Sequence, residues 1–195
     1  MTVVAYPEAE LPAELAAQVA ALEAQAWPGA RAGHDPALAP RVMVLLDGAG
    51  VGAGAVAASL ALLYKPVRHA GRTYRAAGLS AVVVRESARG RGYGGRLVAA
   101  ARAALAADGA VDVVLFSCDR PLAGFYEAAG FTRLPGAVLV GGTPEEPLAT
   151  DAPGFDKVVL GDFPGAGAGA EAEAEAAAFA GTRIALYPGL VDRLW

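Results

Sequence analysis

The sequence predicts an α/β domain built on a mixed, largely antiparallel sheet of about seven strands flanked by helices. Three observations point there. Residues 41–64 read as a hairpin, two apolar runs folding back through a Gly-rich turn, and residues 67–76 as a second one around Ala70-Gly71. Residues 79–116 read as strand, loop, helix and strand, which makes the sheet mixed rather than purely antiparallel. A length of 195 residues, 55% hydrophobic and only 18% charged, leaves room for one full core and argues against a two-domain enzyme. Residues 1–195 are therefore read as a single domain.

Residues 2–6 form a short β-type run. Pro12 then sits where a first helical turn tolerates it, and Leu15, Val19, Leu22 and Ala26 recur at helical spacing, so a helix is expected over residues 12–27. Pro28 and Gly29 stop it, and residues 29–40, with two Pro and two Gly, read as a loop of the kind that borders binding sites. Residues 41–46 are a buried-strand run, Asp47-Gly48 opens a Gly-rich turn, and residues 55–64 return. The second hairpin turns at Ala70-Gly71. Residues 79–84 form an apolar strand, followed by a Gly/Arg loop and a helix over 93–107 with Leu97, Ala101, Ala104 and Leu105 on one face. Residues 111–116 are another buried strand. Leu122, Phe125, Tyr126 and Ala129 mark a short helix closed by Gly130 in the left-handed terminating position, after which Phe131 returns to the core.

Strands at 137–140 and 157–160 are joined by an acidic, Pro-rich loop, 141–156. Residues 165–181 are a low-complexity linker before a final strand, 182–187. Its Gly-Ala half reads as flexible, and its Ala-Glu half as a candidate helix with Glu171, Glu173 and Glu175 spread around the cylinder.

Composition excludes several classes. About a quarter of the residues are Ala, so much of the hydrophobic fraction is compositional bias. The longest apolar tract, 42–64, is cut by Asp47 and four Gly and cannot cross a membrane. A formal net charge of -4 without a basic cluster argues against nucleic acid as a partner. Cys118 stands alone, which excludes a disulfide framework and a multi-Cys zinc site and fits a reducing cytoplasm. His34 and His69 have no metal-ligand spacing and read as surface or turn residues, so no metal is expected. Residues 1–10 have neither the basic start of a secretory signal nor the arginines of a transit peptide, which also points to the cytoplasm.

The most specific feature is Val82-Val83-Val84 followed by Arg89-Gly90-Arg91-Gly92-Tyr93-Gly94-Gly95 and an amphipathic helix. Backbone N–H groups freed by Gly at a positively polarised helix N-terminus form a pyrophosphate site. Arg89 and Arg91 add charge that a purely structural turn does not need. Gly90, Gly92 and Gly95 also satisfy G-x-G-x-x-G, with Asp119 past the next strand where a ribose-binding acid would stand. A dinucleotide fold, however, places its first Gly almost directly after the strand, whereas residues 85–89 intervene here, and its repeated βαβ units are missing. The cluster from Gly48 to Gly54 lacks the Lys-Ser/Thr of a P-loop and reads as a hairpin turn.

Arg89-Gly90-Arg91-Gly92-Tyr93-Gly94 after Val82-Val83-Val84 resembles the acyl-CoA pyrophosphate loop, R/Q-x-x-G-x-G/A, of the GNAT superfamily of acetyl-CoA-dependent N-acetyltransferases. Phe125-Tyr126-Glu127-Ala128-Ala129-Gly130-Phe131, about thirty residues on, resembles the same family's F-Y-x-x-x-G-F element. Within the superfamily, the layout of residues 67–160 and the terminal Trp195 is similar to aminoglycoside 2'-N-acetyltransferases. The resemblance implies a sheet splayed between the Val82 strand and the Val111 strand, with acetyl-CoA as cosubstrate in the gap. The backbone of Val82, Val83 and Val84 would bind the acetyl and pantetheine parts, and amides of Arg89, Gly90, Arg91, Gly92, Tyr93 and Gly94 the pyrophosphate. Ser117 would lie beside the pantetheine arm. Tyr126 would protonate the departing CoA thiolate, a phenol and a thiol having ordinary pKa values of about 10 and 8.5. Read without the loop, Tyr126 is a core aromatic beside Phe125.

The sequence departs from the family at the general base. Where many members carry Glu on the Val82 strand, this chain has Ser80, which is no base at neutral pH. A water positioned by Ser80 is the favoured route, with a nearby Asp or Glu, or the C-terminal carboxylate of Trp195, as alternatives. The reaction implied is direct transfer to a primary amine of a small molecule through a tetrahedral intermediate. Cys118 is not needed as nucleophile, since no nearby His activates it. Asp35, Glu145, Glu146, Asp151 and Asp156 would attract an aminosugar or polyamine, or simply form a solvated face. Trp27 lines the acceptor pocket or plugs the first helix. The competing class is a catalytically silent acyl-CoA sensor that lost its base, and a homodimer stands as an open expectation.

Overall fold

The computed structural model describes residues 1–30, 33–48, 54–167 and 169–187. In chain order these form β1 (Thr2–Pro7), α1 (Ala13–Ala26), β2 (Arg41–Asp47), β3 (Ala55–His69), β4 (Arg72–Val84), α2 (Tyr93–Ala107) and β5 (Val113–Asp119). There follow α3 (Ala123–Glu127), β6 (Thr132–Arg133), β7 (Val138–Gly142), β8 (Pro147–Ala149), β9 (Lys157–Asp162), α4 (Ala170–Phe179) and β10 (Arg183–Ala185). Seven strands make a sheet in the order β1-β2-β3-β4-β5-β9-β6, and three more make a second sheet, β10-β7-β8. In the larger sheet β1 with β2, β2 with β3, β5 with β9 and β6 with β9 are antiparallel, while β4 with β5 is parallel. The parallel ladder consists of Ala76 opposite Val113 and Ala77 opposite Val114. The mixed, mostly antiparallel architecture is therefore the expected one.

The chain forms two compact units. The first comprises Met1–Leu63 and Leu79–Ala101, the second Tyr64–Gly78 and the residues from Arg102 onward. In the first, the apolar stripe of α1 is buried as its period requires: Leu15, Val19 and Leu22 pack with Val42, Val44 and Leu46 of β2, Val56 of β3 and Val83 of β4. Pro12 caps the helix from outside, its carbonyl accepting from Ala16 N–H at 2.9 Å. Gln18 reaches across to accept from Val56 N–H at 2.8 Å, tying α1 to the start of β3.

In the second unit Phe116 of β5 stands edge-on to both Tyr126 and Phe131, each ring centroid 5.0 Å away. Phe179, at the end of α4, is fully buried and stacks on His69 at 4.3 Å, with Tyr74 and Phe163 around it. The entry to β5 is fastened by Asp112, whose carboxylate takes both the backbone N–H and the guanidinium of Arg75.

Several expectations are corrected. The hairpin at 67–76 and the strand at 79–84 are parts of longer strands, β3 running on through Pro66 and β4 through Gly78; their turn, Ala70-Gly71, has φ of 46° and 80°, the mirror-image geometry that twisted hairpins favour. The buried face of α2 carries Leu97, Val98, Ala101 and Leu105, with Ala104 exposed. The strand expected at 111–116 runs Val113–Asp119, and the acidic loop contains β8. The final strand belongs to the smaller sheet, and the Ala-Glu segment is helical in α4. Residues 49–53 of the Gly48 turn and Trp195 lie outside the described residues. No helix among the described residues is long and apolar enough to cross a membrane.

Candidate functional site

The chemistry-bearing residues fall into one group in each unit. In the first, β4 ends in Val82, Val83 and Val84, with only the Val83 side chain buried in the core. Ala81 just before them has φ of 50°, a left-handed conformation uncommon for a side-chain-bearing residue inside a strand. Such a residue breaks the pleat and re-aims its neighbours, and strained backbone of this kind clusters at functional sites. A single 3-10 turn, Glu86–Ala88, then delivers the chain to Arg89, whose Nε donates to Val84 O at 3.4 Å.

Gly90 and Gly92 follow with φ of 74° and 76°, and a Cβ on either would meet nothing within 4 Å. Their glycines are thus required by backbone conformation, and the space over them is open to a ligand. Helical bonding in the chain after them starts with Arg96 N–H donating to Gly92 O at 3.0 Å. The first N–H groups of a helix have no acceptor of their own, and here they follow two exposed arginines, Arg89 and Arg91. Backbone donors, a helix N-terminus and two guanidinium groups make an anion cradle that fits a pyrophosphate.

The same unit holds an arrangement that the sequence conceals. Glu8, in the 3-10 turn after β1, accepts from His34 twice: its Oε2 takes the backbone N–H at 3.1 Å and its Oε1 the ring Nδ1 at 2.8 Å. His34 Nε2 lies 3.2 Å from Ser80 Oγ. A carboxylate only accepts, so Nδ1 carries the proton and Nε2 of the neutral ring accepts from the Ser80 hydroxyl. The His34 side chain is only 13% exposed and that of Glu8 24%, so His34 is not the surface residue its sequence context suggests. Burial pushes the Glu8 carboxyl up, but the hydrogen bonds from His34 outweigh it and the net shift is down. Glu23 of α1 also faces this group; burial raises its carboxyl, and the His34 charge opposes the rise.

In the second unit β5 carries Ser117, half-buried, and Cys118, buried. Burial, then the Asp119 charge, pushes the Cys118 thiol up to about 11, which keeps it unreactive. Tyr126 of α3 is buried among Phe116 and Phe125. Burial first, then Cys118 and Asp119, pushes its phenol well above the ordinary value. The phenol thus stands further above an ordinary thiol than free side chains do. Gly130 has φ of 96° and ends the α3 turn as expected, with Phe131 N–H donating back to Tyr126 O at 3.2 Å.

The acids expected to draw a cationic acceptor have other tasks. Asp151 pairs with Arg183 and Asp156 with Arg120, both at 2.6 Å, and Asp35 caps a 3-10 turn by accepting from Ala37 N–H. Glu145 and Glu146 are exposed, as is Trp27 at 43%. His69 is engaged by Ala178 O, and among the described residues no group of His, Cys, Asp and Glu is placed to hold a metal ion.

Residues 41–133 match the family model described as an acetyltransferase (GNAT) domain. No curated protein gives a significant match. Among solved structures, ElaA from Escherichia coli is similar at a TM-score of 0.56 and 15% identity, over 82% of this chain and 97% of that one. An acyl-CoA N-acyltransferase from Pseudomonas aeruginosa gives a TM-score of 0.54 at 18% identity, covering 82% and 97%. NAA60 from Arabidopsis thaliana, solved with a bisubstrate analogue, gives 0.55 at 12%, covering 83% and 98%. At these identities the likeness speaks for the fold, which is the GNAT fold.

Proposed function

We propose that the chain is an acyl-CoA-dependent N-acyltransferase that moves the acetyl group of acetyl-CoA to a primary amine of a small molecule. One observation carries the reading: left-handed Gly90 and Gly92, open above, lead into the N-terminus of α2 beside exposed Arg89 and Arg91. In this reading the amides of residues 89–94 hold the pyrophosphate, and the backbone of Val82, Val83 and Val84 orients the thioester arm. Ser117 borders the pantetheine. Proximity and fixed backbone dipoles supply most of the acceleration.

Tyr126 meets the departing sulfur. A phenol pushed up by burial stays protonated at every working pH, so it offers the thiolate a hydrogen bond before any proton moves. Aminoglycosides and polyamines are the acceptor classes to try first, with the single domain and the homodimer as further parts of the reading. The second reading is an acyl-CoA sensor, favoured by Ser80 in the place of a carboxylate base.

Thiol release from acetyl-CoA, followed across kanamycin, spermidine, lysine and a peptide with a free N-terminus, separates the two. Turnover on one amine class supports the enzyme. Tight acetyl-CoA binding without release on the whole panel supports the sensor.

A further inference from the structure

We propose that Glu8, His34 and Ser80 form the proton relay that deprotonates the acceptor amine, with His34 as the base that the β4 strand itself lacks. The inference rests on the acyltransferase reading. Three side chains stand in line: Ser80 Oγ 3.2 Å from His34 Nε2, and His34 Nδ1 2.8 Å from Glu8 Oε1. A hydroxyl, an imidazole and an orienting carboxylate in this order form the arrangement by which a neutral hydroxyl passes a proton to a base.

The placement has further support. Ser80 directly precedes Ala81, whose left-handed φ of 50° re-aims the strand beside Val82. His34 comes from the loop at 29–40, held there by its own backbone N–H on Glu8 and by Glu8 N–H on Pro40 O at 2.8 Å. Glu8 is the carboxylate bonded to the ring, and Glu23 of α1 lies close enough to His34 to feel its charge.

The step balances without a further reagent. An alkylammonium gives one N–H proton to Ser80 Oγ as the Ser80 proton passes to His34 Nε2, leaving a neutral amine and an imidazolium held by Glu8. The amine lone pair forms the C–N bond to the thioester carbonyl, and the C–S bond breaks with its electron pair going to sulfur. The second amine proton balances the proton taken up by sulfur, and His34 returns its proton to solvent. Ammonium plus thioester become amide, thiol and one free proton.

The experiment compares wild type, H34Q, S80A and E8Q with acetyl-CoA and the four amines named above. The relay predicts that H34Q and S80A lower kcat/KM about 100-fold, with acetyl-CoA affinity by calorimetry unchanged, and that added imidazole restores part of the H34Q loss. E8Q should lower the rate about tenfold, because the ring loses the carboxylate that holds its Nδ1–H. NMR of the His34 ring gives a readout independent of turnover: the wild type should carry its proton on Nδ1, and E8Q should lose that tautomer preference. Normal thiol release by H34Q, or an acyl group found on Ser80 by rapid-quench mass measurement, overturns the relay alone. No thiol release by wild type on any of the four amines overturns the acyltransferase reading and the relay with it.

Discussion

Burial raises both Tyr126 and Cys118, and the two consequences differ. For Cys118, a thiol pushed up to about 11 leaves little thiolate at neutral pH and disfavours a covalent acyl-cysteine route. Cys118→Ser should keep turnover within about twofold, measured as amide formation. For Tyr126, Tyr126→Phe removes the donor while keeping the ring packed on Phe116. It should lower turnover about 100-fold and leave acetyl-CoA affinity intact, and an unchanged rate removes Tyr126 from the mechanism. Tyr126 stands out in the sequence because its signal is contiguous, an F-Y-x-x-x-G-F run that covers the end of α3 and the turn after it. The Glu8, His34 and Ser80 contacts were not, since the partners are separated by 26 and 46 residues and no periodicity links them. His34 reads as a lone loop histidine until folding brings Glu8 beneath it.

At the scale of elements, long periodic segments were read correctly. The stripe Leu15, Val19 and Leu22 identified α1, and residues 93–107 identified α2, because each repeats its apolar face over several turns. The alternation of residues 182–187 marks β10, whereas three-residue β8 carries no such period, and the separate sheet of both depends on pairing with β7. The loop at 89–94 stands out in the sequence through its glycines and arginines, and the left-handed φ of Gly90 and Gly92 makes a sharp prediction. Gly92→Val places a β-branched residue at φ of 76°, costing about 1–2 kcal/mol of backbone strain without a clash. It should raise the acetyl-CoA Kd at least tenfold by calorimetry while lowering the melting temperature only modestly; retained affinity would discard the loop assignment. The low-complexity tail is tested by Phe179→Ala. Removing a fully buried ring packed on His69, Tyr74 and Phe163 should cost about 3–5 kcal/mol in urea unfolding, and a loss below 1 kcal/mol would contradict the packing of α4.

For the whole molecule, pH enters through Asp112. Arg75 holds its carboxyl at about 2 through side-chain and then backbone hydrogen bonds, against an ordinary value of about 4 in the unfolded chain. A depressed native pKa stabilises fully above the unfolded value, and the gain is lost as pH falls from about 4 toward 2. Asp112→Asn should therefore destabilise near neutrality by urea unfolding, and the gap from wild type should narrow below about pH 4. With a net charge of -4 over the chain, the positive charge of Arg89 and Arg91 is a local feature of one loop, and an anionic ligand should bind there. Calorimetric titration of the wild-type chain with acetyl-CoA tests that claim most directly. The account predicts saturable binding at one site per chain that Gly92→Val weakens at least tenfold; no heat of binding at any acetyl-CoA concentration would contradict it.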